Sequence, residues 1–175
     1  MSKFIKKDAY CTERSAIGRF MYDKLYSVSL TLIKYRWLYW LLNFTWGILT
    51  TLGGLFLSLA MLCIDKKPKR FYSIWYFEIL RNWGGMEMGT MFLRDTTSSD
   101  SINIHEWGHT FQNAILGPFF IFIVAIPSAT RYWYRAFSKK TQPDYDAIWF
   151  EGNATSIGNY AAFYDNIAKK KKENK

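Results

Sequence analysis

Histidine and cysteine are almost missing from this chain: its 175 residues hold two of each. Two isolated cysteines, Cys11 and Cys63, supply no disulfide framework, which suits a reducing or indifferent compartment. Acidic residues are also few, 14 Asp+Glu against 23 Lys+Arg, so the net charge is +9. Nucleic acid is a poor explanation for that excess. The basic residues flank apolar segments, and no recognition motif is present. No internal repeat is visible, and the length suits one domain. What the chain has in quantity is apolar surface: half of its residues are hydrophobic and 19% are aromatic.

The two histidines are four residues apart, in His105-Glu106-Trp107-Gly108-His109. Positions i and i+4 share a helix face, so both imidazoles can reach one metal ion, and Glu106 lies at the edge of that site, placed to take a proton from water. The surroundings read as a helix. Asn103 and Glu106 have capping-box spacing, with Ser101 as an alternative cap. Gly117-Pro118 ends the pattern about three turns later. Gly108 costs helix stability, which implies that another element packs closely there.

A catalytic zinc needs a third protein ligand and one open position. With no third histidine, that ligand must be a carboxylate, because Cys63 lies in an apolar run and Cys11 in the basic N-terminal segment. Glu151 is the best placed, among Ile148, Trp149, Phe150 and Ala154 on a helix beginning near Asp144 or Asp146 after Pro143. Asp144 and Asp146 themselves are the alternatives. For a donor to a developing oxyanion the candidates are Tyr160, Tyr145 and Arg131, and nothing in the sequence selects one.

This arrangement resembles the gluzincin zinc metallopeptidases, and more narrowly small bacterial membrane proteins of that type. The resemblance rests on HEWGHTFQNAILGP, on the stretch from Trp46-Gly47 to Gly53, on Ile126-Pro127-Ser128 and on Glu151-x-x-Ala154, and covers roughly residues 40 to 160. It implies His105, His109 and Glu151 as zinc ligands and Glu106 as general base. One departure stands out. The family places Asp four residues after the ligand Glu, to orient a ligand histidine; this chain has Thr155. A hydroxyl can accept from an imidazole N–H, but without charge, so weaker support for the metal is expected.

Between Trp37 and Ile64 no charged residue occurs over 28 positions. About 20 residues suffice to span a bilayer. Trp37, Tyr39 and Trp40 form an interfacial belt at one end. A cleaved signal peptide does not fit, since 36 residues precede the run. Both flanks are basic. The first 36 residues carry eight Lys+Arg against three acids, and Lys66-Lys67-Pro68-Lys69-Arg70 follows Asp65. The run is therefore either a tilted single span or a re-entrant hairpin bending near Gly53-Gly54. A dozen apolar residues from Phe119 to Thr130, too short to span, are broken near their end by Pro127 and edged by Arg131-Tyr132-Trp133-Tyr134-Arg135.

Phe71–Ile79 and Gly85–Leu93 read as two strands of one β-hairpin turning at Asn82-Trp83-Gly84, whose edge could pair with an extended peptide. Ile17, Met21, Leu25, Val28 and Leu32 mark a basic amphipathic helix, against lipid or against the protein's own core. Lys169-Lys170-Lys171-Lys172 reads as a solvated, disordered tail.

The expectation is thus an α+β integral membrane protein. Residues 1–36 form a basic amphipathic segment, 37–64 one long transmembrane or re-entrant helical segment, 65–168 a metallopeptidase-like region with a short β-hairpin and a zinc site on two helices, and 169–175 a basic tail. Its activity would be hydrolysis of peptide or protein substrates at a bacterial inner membrane, with the site on the cytoplasmic side. The rival expectations are a non-catalytic membrane protein braced by a metal and a site-2-type intramembrane protease. The polar Asn103, Thr110, Gln112 and Asn113 argue against the second.

Overall fold

A computed structural model describes residues 11–12, 15–138 and 144–173. The fold is α+β and mostly helical, with one small sheet. Helix α1 (Ala16–Lys34) starts at Ser15, whose hydroxyl accepts from the Gly18 amide. It packs along α6 (Trp149–Glu173) through Tyr22, Leu25, Ser29 and Leu32, leaving Ile17 and Val28 exposed. Of the two settings expected for the amphipathic segment, α1 therefore adopts the core. Leu25 and Leu32 are buried as expected, while Tyr22 and Ser29 are buried in place of Met21 and Val28, with polar partners: the Tyr22 hydroxyl lies 2.7 Å from that of Ser156, and Ser29 donates to the Tyr26 carbonyl.

The uncharged run folds as two helices, α2 (Arg36–Phe44) and α3 (Ile48–Cys63), bent by 85°. The break falls at Thr45–Gly47, not at the expected Gly53-Gly54. Those two glycines lie inside α3, where a Cβ on Gly54 would collide with the Met88 carbonyl of the sheet. They serve close packing rather than a bend. Among the described residues no single helix is long and apolar enough to cross a membrane.

The first expected strand holds β2 and gains an antiparallel partner just ahead of it, while the second is itself a hairpin. Strand β1 (Lys69–Phe71) turns through Tyr72, at φ 48°, into β2 (Ile74–Glu78), and β3 (Gly85–Met88) turns through Gly89, at φ 73°, into β4 (Met91–Arg94). The sheet order is β1-β2-β4-β3, with β2 and β4 parallel in the register Glu78↔Arg94. The single hairpin expected across Asn82-Trp83-Gly84 does not form, because a left-handed residue inside each segment turns the chain earlier. Arg94 ties the sheet to the next helix, bonding Glu78 at 2.6 Å and Asn103 at 3.1 Å.

Helix α4 (Asp100–Leu116) is the core of the molecule, buried almost continuously from Asn103 to Ala114. It begins earlier than Asn103 or Ser101, at Ser99, because Asn103 is taken up by Asp100 and Arg94 instead of capping. Gly117, at φ 57°, ends it, and Trp46 covers the turn. Trp107 stacks on Tyr72 at 4.8 Å. A 3₁₀ turn and a π turn (Ile121–Ala125) then lead into α5 (Ile126–Phe137). Pro127 opens this helix rather than breaking it, since a first-turn residue has no intrahelical use for its N–H. A 3₁₀ turn at Tyr145–Ala147 precedes α6, which starts at Trp149 rather than near Asp144. Lys169–Lys172 are exposed but helical, forming the last turns of α6 where lysines complement the helix dipole, so the expected disorder is absent from 169–173. Pro143 and residues 174–175 lie outside the described residues.

Candidate metal centre

Helical spacing puts His105, Glu106 and His109 on the inner side of α4. The third arm comes from α6, brought to backbone contact by two glycines. A Cβ on Gly108 would overlap the Ala154 carbonyl, and one on Gly158 would overlap the Ile104 carbonyl. This close crossing places Glu151, in the first turn of α6 and fully buried, against both imidazoles.

The three donor atoms form a near-equilateral triangle. His105 Nε2 and His109 Nε2 are 3.1 Å apart, and each lies 3.2 Å from Glu151 Oε2. Ligands about 2.0–2.1 Å from a tetrahedral ion stand roughly 3.3 Å from one another, so the buried group can hold a metal ion with one position left open. Among the described residues Glu151 Oε1 has no hydrogen-bond partner. Burial alone would raise the Glu151 pKa, but the two imidazoles override it and hold the carboxyl well below the usual range. Burial would likewise lower His109, yet contact with Glu151 pushes it up to about 9. Without a metal, charge balance in this pocket is a carboxylate against an imidazolium. A cation can replace that proton.

Each imidazole is oriented from behind. His105 Nδ1 is 2.7 Å from Thr155 Oγ1, and His109 Nδ1 is 2.7 Å from Gln112 Oε1. The Gln112 amide in turn donates to the Phe150 carbonyl and to Asn153, both at 2.8 Å, which fixes its oxygen toward His109. Asp146 approaches the same edge of His105, with Oδ1 3.8 Å from Nδ1, and burial raises its pKa. It does not join the donor triangle.

Glu106 is buried beside the triangle, and burial raises its pKa despite the neighbouring histidines. The backbone of Glu87, on outer strand β3, lies close enough to Glu106 to favour its charged form slightly, against the burial. Gly85 on the same strand gives it room, since a Cβ there would sit 2.6 Å from Glu106 Oε1. Of the expected oxyanion donors, Tyr145 reaches the site. Its hydroxyl bonds Ser128 at 3.1 Å and lies near enough to Glu151 for that charge, after burial, to hold the phenol above its ordinary range. Arg131 braces Tyr145 from outside, donating to the carbonyls of Asp144 and Tyr145 at 3.0 and 3.3 Å. Tyr160 packs edge-on against Tyr26, about two and a half turns along α6 from Glu151.

Gln112, Glu87 and Gly85 are site residues that the motif alone does not reveal. Gln112 had a signal, standing three positions after His109. Glu87 and Gly85 had none, because only the sheet register turns them toward α4. No family model matches the chain, and neither a curated protein nor a solved structure matches it.

Proposed function

We propose that the chain is a zinc-dependent metallopeptidase working at a membrane surface. The observation that carries this reading is the donor triangle of His105, His109 and Glu151 with the buried carboxyl of Glu106 beside it. Two neutral nitrogens and one carboxylate oxygen with an open tetrahedral position suit zinc better than calcium or magnesium, which prefer more oxygen ligands. Zinc held there would supply Lewis acidity toward a carbonyl oxygen and make water acidic enough to attack at neutral pH. Glu106 takes the proton from the attacking water and returns it to the departing nitrogen. Its raised pKa brings it closer to the range in which a carboxyl can do both. Thr155 and Gln112 hold the imidazoles in the tautomer that leaves Nε2 free to bind. Tyr145 is the donor placed to meet charge developing on the carbonyl oxygen. Strand β3 supports a peptide substrate: it is an outer strand, and its Gly85 lies directly against the Glu106 side chain.

A purely structural metal is less favoured, because structural zinc sites are closed by four ligands and only three converge here among the described residues. Elemental analysis of the purified protein tests the reading. About one zinc per chain is expected in the wild type and in Glu106→Gln, and none in His105→Ala/His109→Ala. Glu106→Gln should lower peptide hydrolysis by roughly 10²-fold or more while keeping its metal. Equal metal in the wild type and the double mutant would refute the site. Undiminished hydrolysis in Glu106→Gln would refute the role of Glu106.

A further inference from the structure

We propose that the protein is monotopic: it seats two joined apolar helix faces in one leaflet of an anionic bilayer and keeps both flanks of its apolar run on the side from which it entered. The inference rests on the membrane reading above and adds the topology. The outer face of α3 presents Leu49, Leu52, Phe56 and Leu59, between 54% and 76% exposed, on successive turns. An ordinary surface helix carries charge there, whereas no charge occurs between Trp37 and Ile64. The opposite face is not available to lipid, since Leu57 and Met61 pack on Phe77, Met91 and Leu93 of the sheet. At 16 residues α3 is about 24 Å long, short of a hydrocarbon core of about 30 Å.

The second face belongs to the segment after α4, which turns by 116°. There Phe119, Phe122, Ile126, Trp133 and Phe137 are all more than half exposed, and none of the twelve residues of α5 is buried. The ring of Trp46, at the α2–α3 elbow, lies 6.2 Å from that of Phe119, so the two faces meet.

The elbow is built for a low-dielectric setting. Asn43 donates to the Tyr39 carbonyl, Asn113 to Asn43, Thr50 to Asn113, and Thr51 to the Asn43 carbonyl. Interrupted backbone at membrane depth is tolerated only when enclosed by protein in this way. Charge completes the case. Lys34 stands exposed before α2, and Lys66 and Lys67 stand exposed after α3. A crossing chain would send one of these basic flanks to the far side. A chain that turns back leaves both against anionic headgroups.

The test adds purified full-length protein to sealed vesicles, with or without phosphatidylserine. Single-cysteine variants Lys34→Cys and Lys66→Cys, each in a Cys11→Ser/Cys63→Ser background, are then treated with a membrane-impermeant thiol reagent. Flotation with anionic vesicles and labelling of both positions from outside are expected. Phe56→Asp/Phe122→Asp, at two highly exposed positions, should cut the vesicle-bound fraction roughly tenfold or more with helical content unchanged. Labelling of one flank only, with the other exposed once the vesicles are lysed, would mean a crossing chain; it would overturn the monotopic topology and leave the membrane reading intact. Failure to float would overturn both. A dimer that does not float, and that Phe56→Asp/Phe122→Asp dissociates, would assign the surface to a second copy.

Discussion

Glu87 and Thr155 show how much of this site depends on residues that never touch the donor triangle's open side. Glu87 accepts from the Gly89 amide through Oε1, while its Oε2 is buried without a hydrogen-bond partner among the described residues. Burial raises its pKa to about 8. The unfolded chain releases this proton near the ordinary carboxyl value, whereas the folded chain holds it until about 8. Stability contributed by the neutral form is therefore present below the unfolded value and is lost as the pH rises toward 8. Glu87→Gln keeps the acceptor for Gly89 and cannot ionise. Its melting temperature should match the wild type near pH 5 and exceed it at pH 8, by an amount reflecting a few kcal/mol. Equal melting curves at pH 8 would show that Glu87 is ionised and paired. Thr155 stands where an Asp was expected by resemblance, and the carboxyl of Asp146 lies at the same edge of His105, 3.8 Å from its Nδ1. Thr155→Val, which keeps the shape and removes the hydroxyl, should weaken zinc binding by ~10–100-fold in a chelator competition. Unchanged affinity would mean that Asp146 suffices alone. Thr155→Asp, in contrast, would set two carboxylates side by side and should bring no gain.

At the level of elements, the motif helix was the most legible part of the chain. His105 and His109 at helical spacing and the Gly117-Pro118 stop are local signals, and α4 carries them as read. Its start is not legible, because Asn103 has the chemistry of a cap but is claimed by Arg94 from a strand beyond the reach of local pattern. Two of the four strands are not legible in the sequence for a similar reason. Tyr72 at positive φ is not a turn residue by type, and parallel pairing of β2 with β4 is a long-range choice. The bend between α2 and α3 is legible in the sequence only as one of two alternatives, and its place is not, since Thr45–Gly47 is dictated by the bonds of Asn43 and Trp46 to α4. Gly108 did announce a close neighbour, and that neighbour is α6. A prediction follows for the other glycine of the crossing. Gly158 is seven residues from Glu151, yet Gly158→Ala would drive a methyl group into the Ile104 carbonyl and force α6 away from α4. Backbone cannot yield as a flexible side chain can, so loss of most bound zinc and a lower melting temperature are expected. Gly85→Ala differs, because the atoms it meets belong to the Glu106 side chain and not to backbone. It should keep the metal, keep the fold, and lower hydrolysis. Retained zinc in Gly158→Ala, or lost zinc in Gly85→Ala, would contradict this division of roles.

On the scale of the whole molecule, the site is a seam between the buried helix α4 and the start of α6, which the chain reaches only after α5 and a segment passing outside the described residues. The seam concentrates polar burial: His105, Glu106, His109, Gln112, Glu151 and Asn153 are all buried within it. Such a cluster opposes folding unless its charges are neutralised, and the carboxylate–imidazolium balance of the metal-free state does this only while His109 is protonated. A divalent ion bound by the triangle neutralises it independently of that proton and ties α6 to α4. Because the unfolded chain separates His105 and His109 from Glu151 by more than 40 residues of sequence, it has no comparable site, so binding shifts the folding equilibrium by mass action. Zinc at about 100 times its dissociation constant should stabilise the protein by about 2.7 kcal/mol. For a chain of this size that corresponds to a rise of roughly 5–11 °C in melting temperature. The rise should be the same in Glu106→Gln, which keeps all three ligands, and absent in His109→Ala. Thermal unfolding of the three proteins in detergent, with zinc titrated in after chelator treatment, measures it. A shift that persists in His109→Ala would locate the stabilising ion elsewhere, and no shift in the wild type would mean that the triangle does not take zinc.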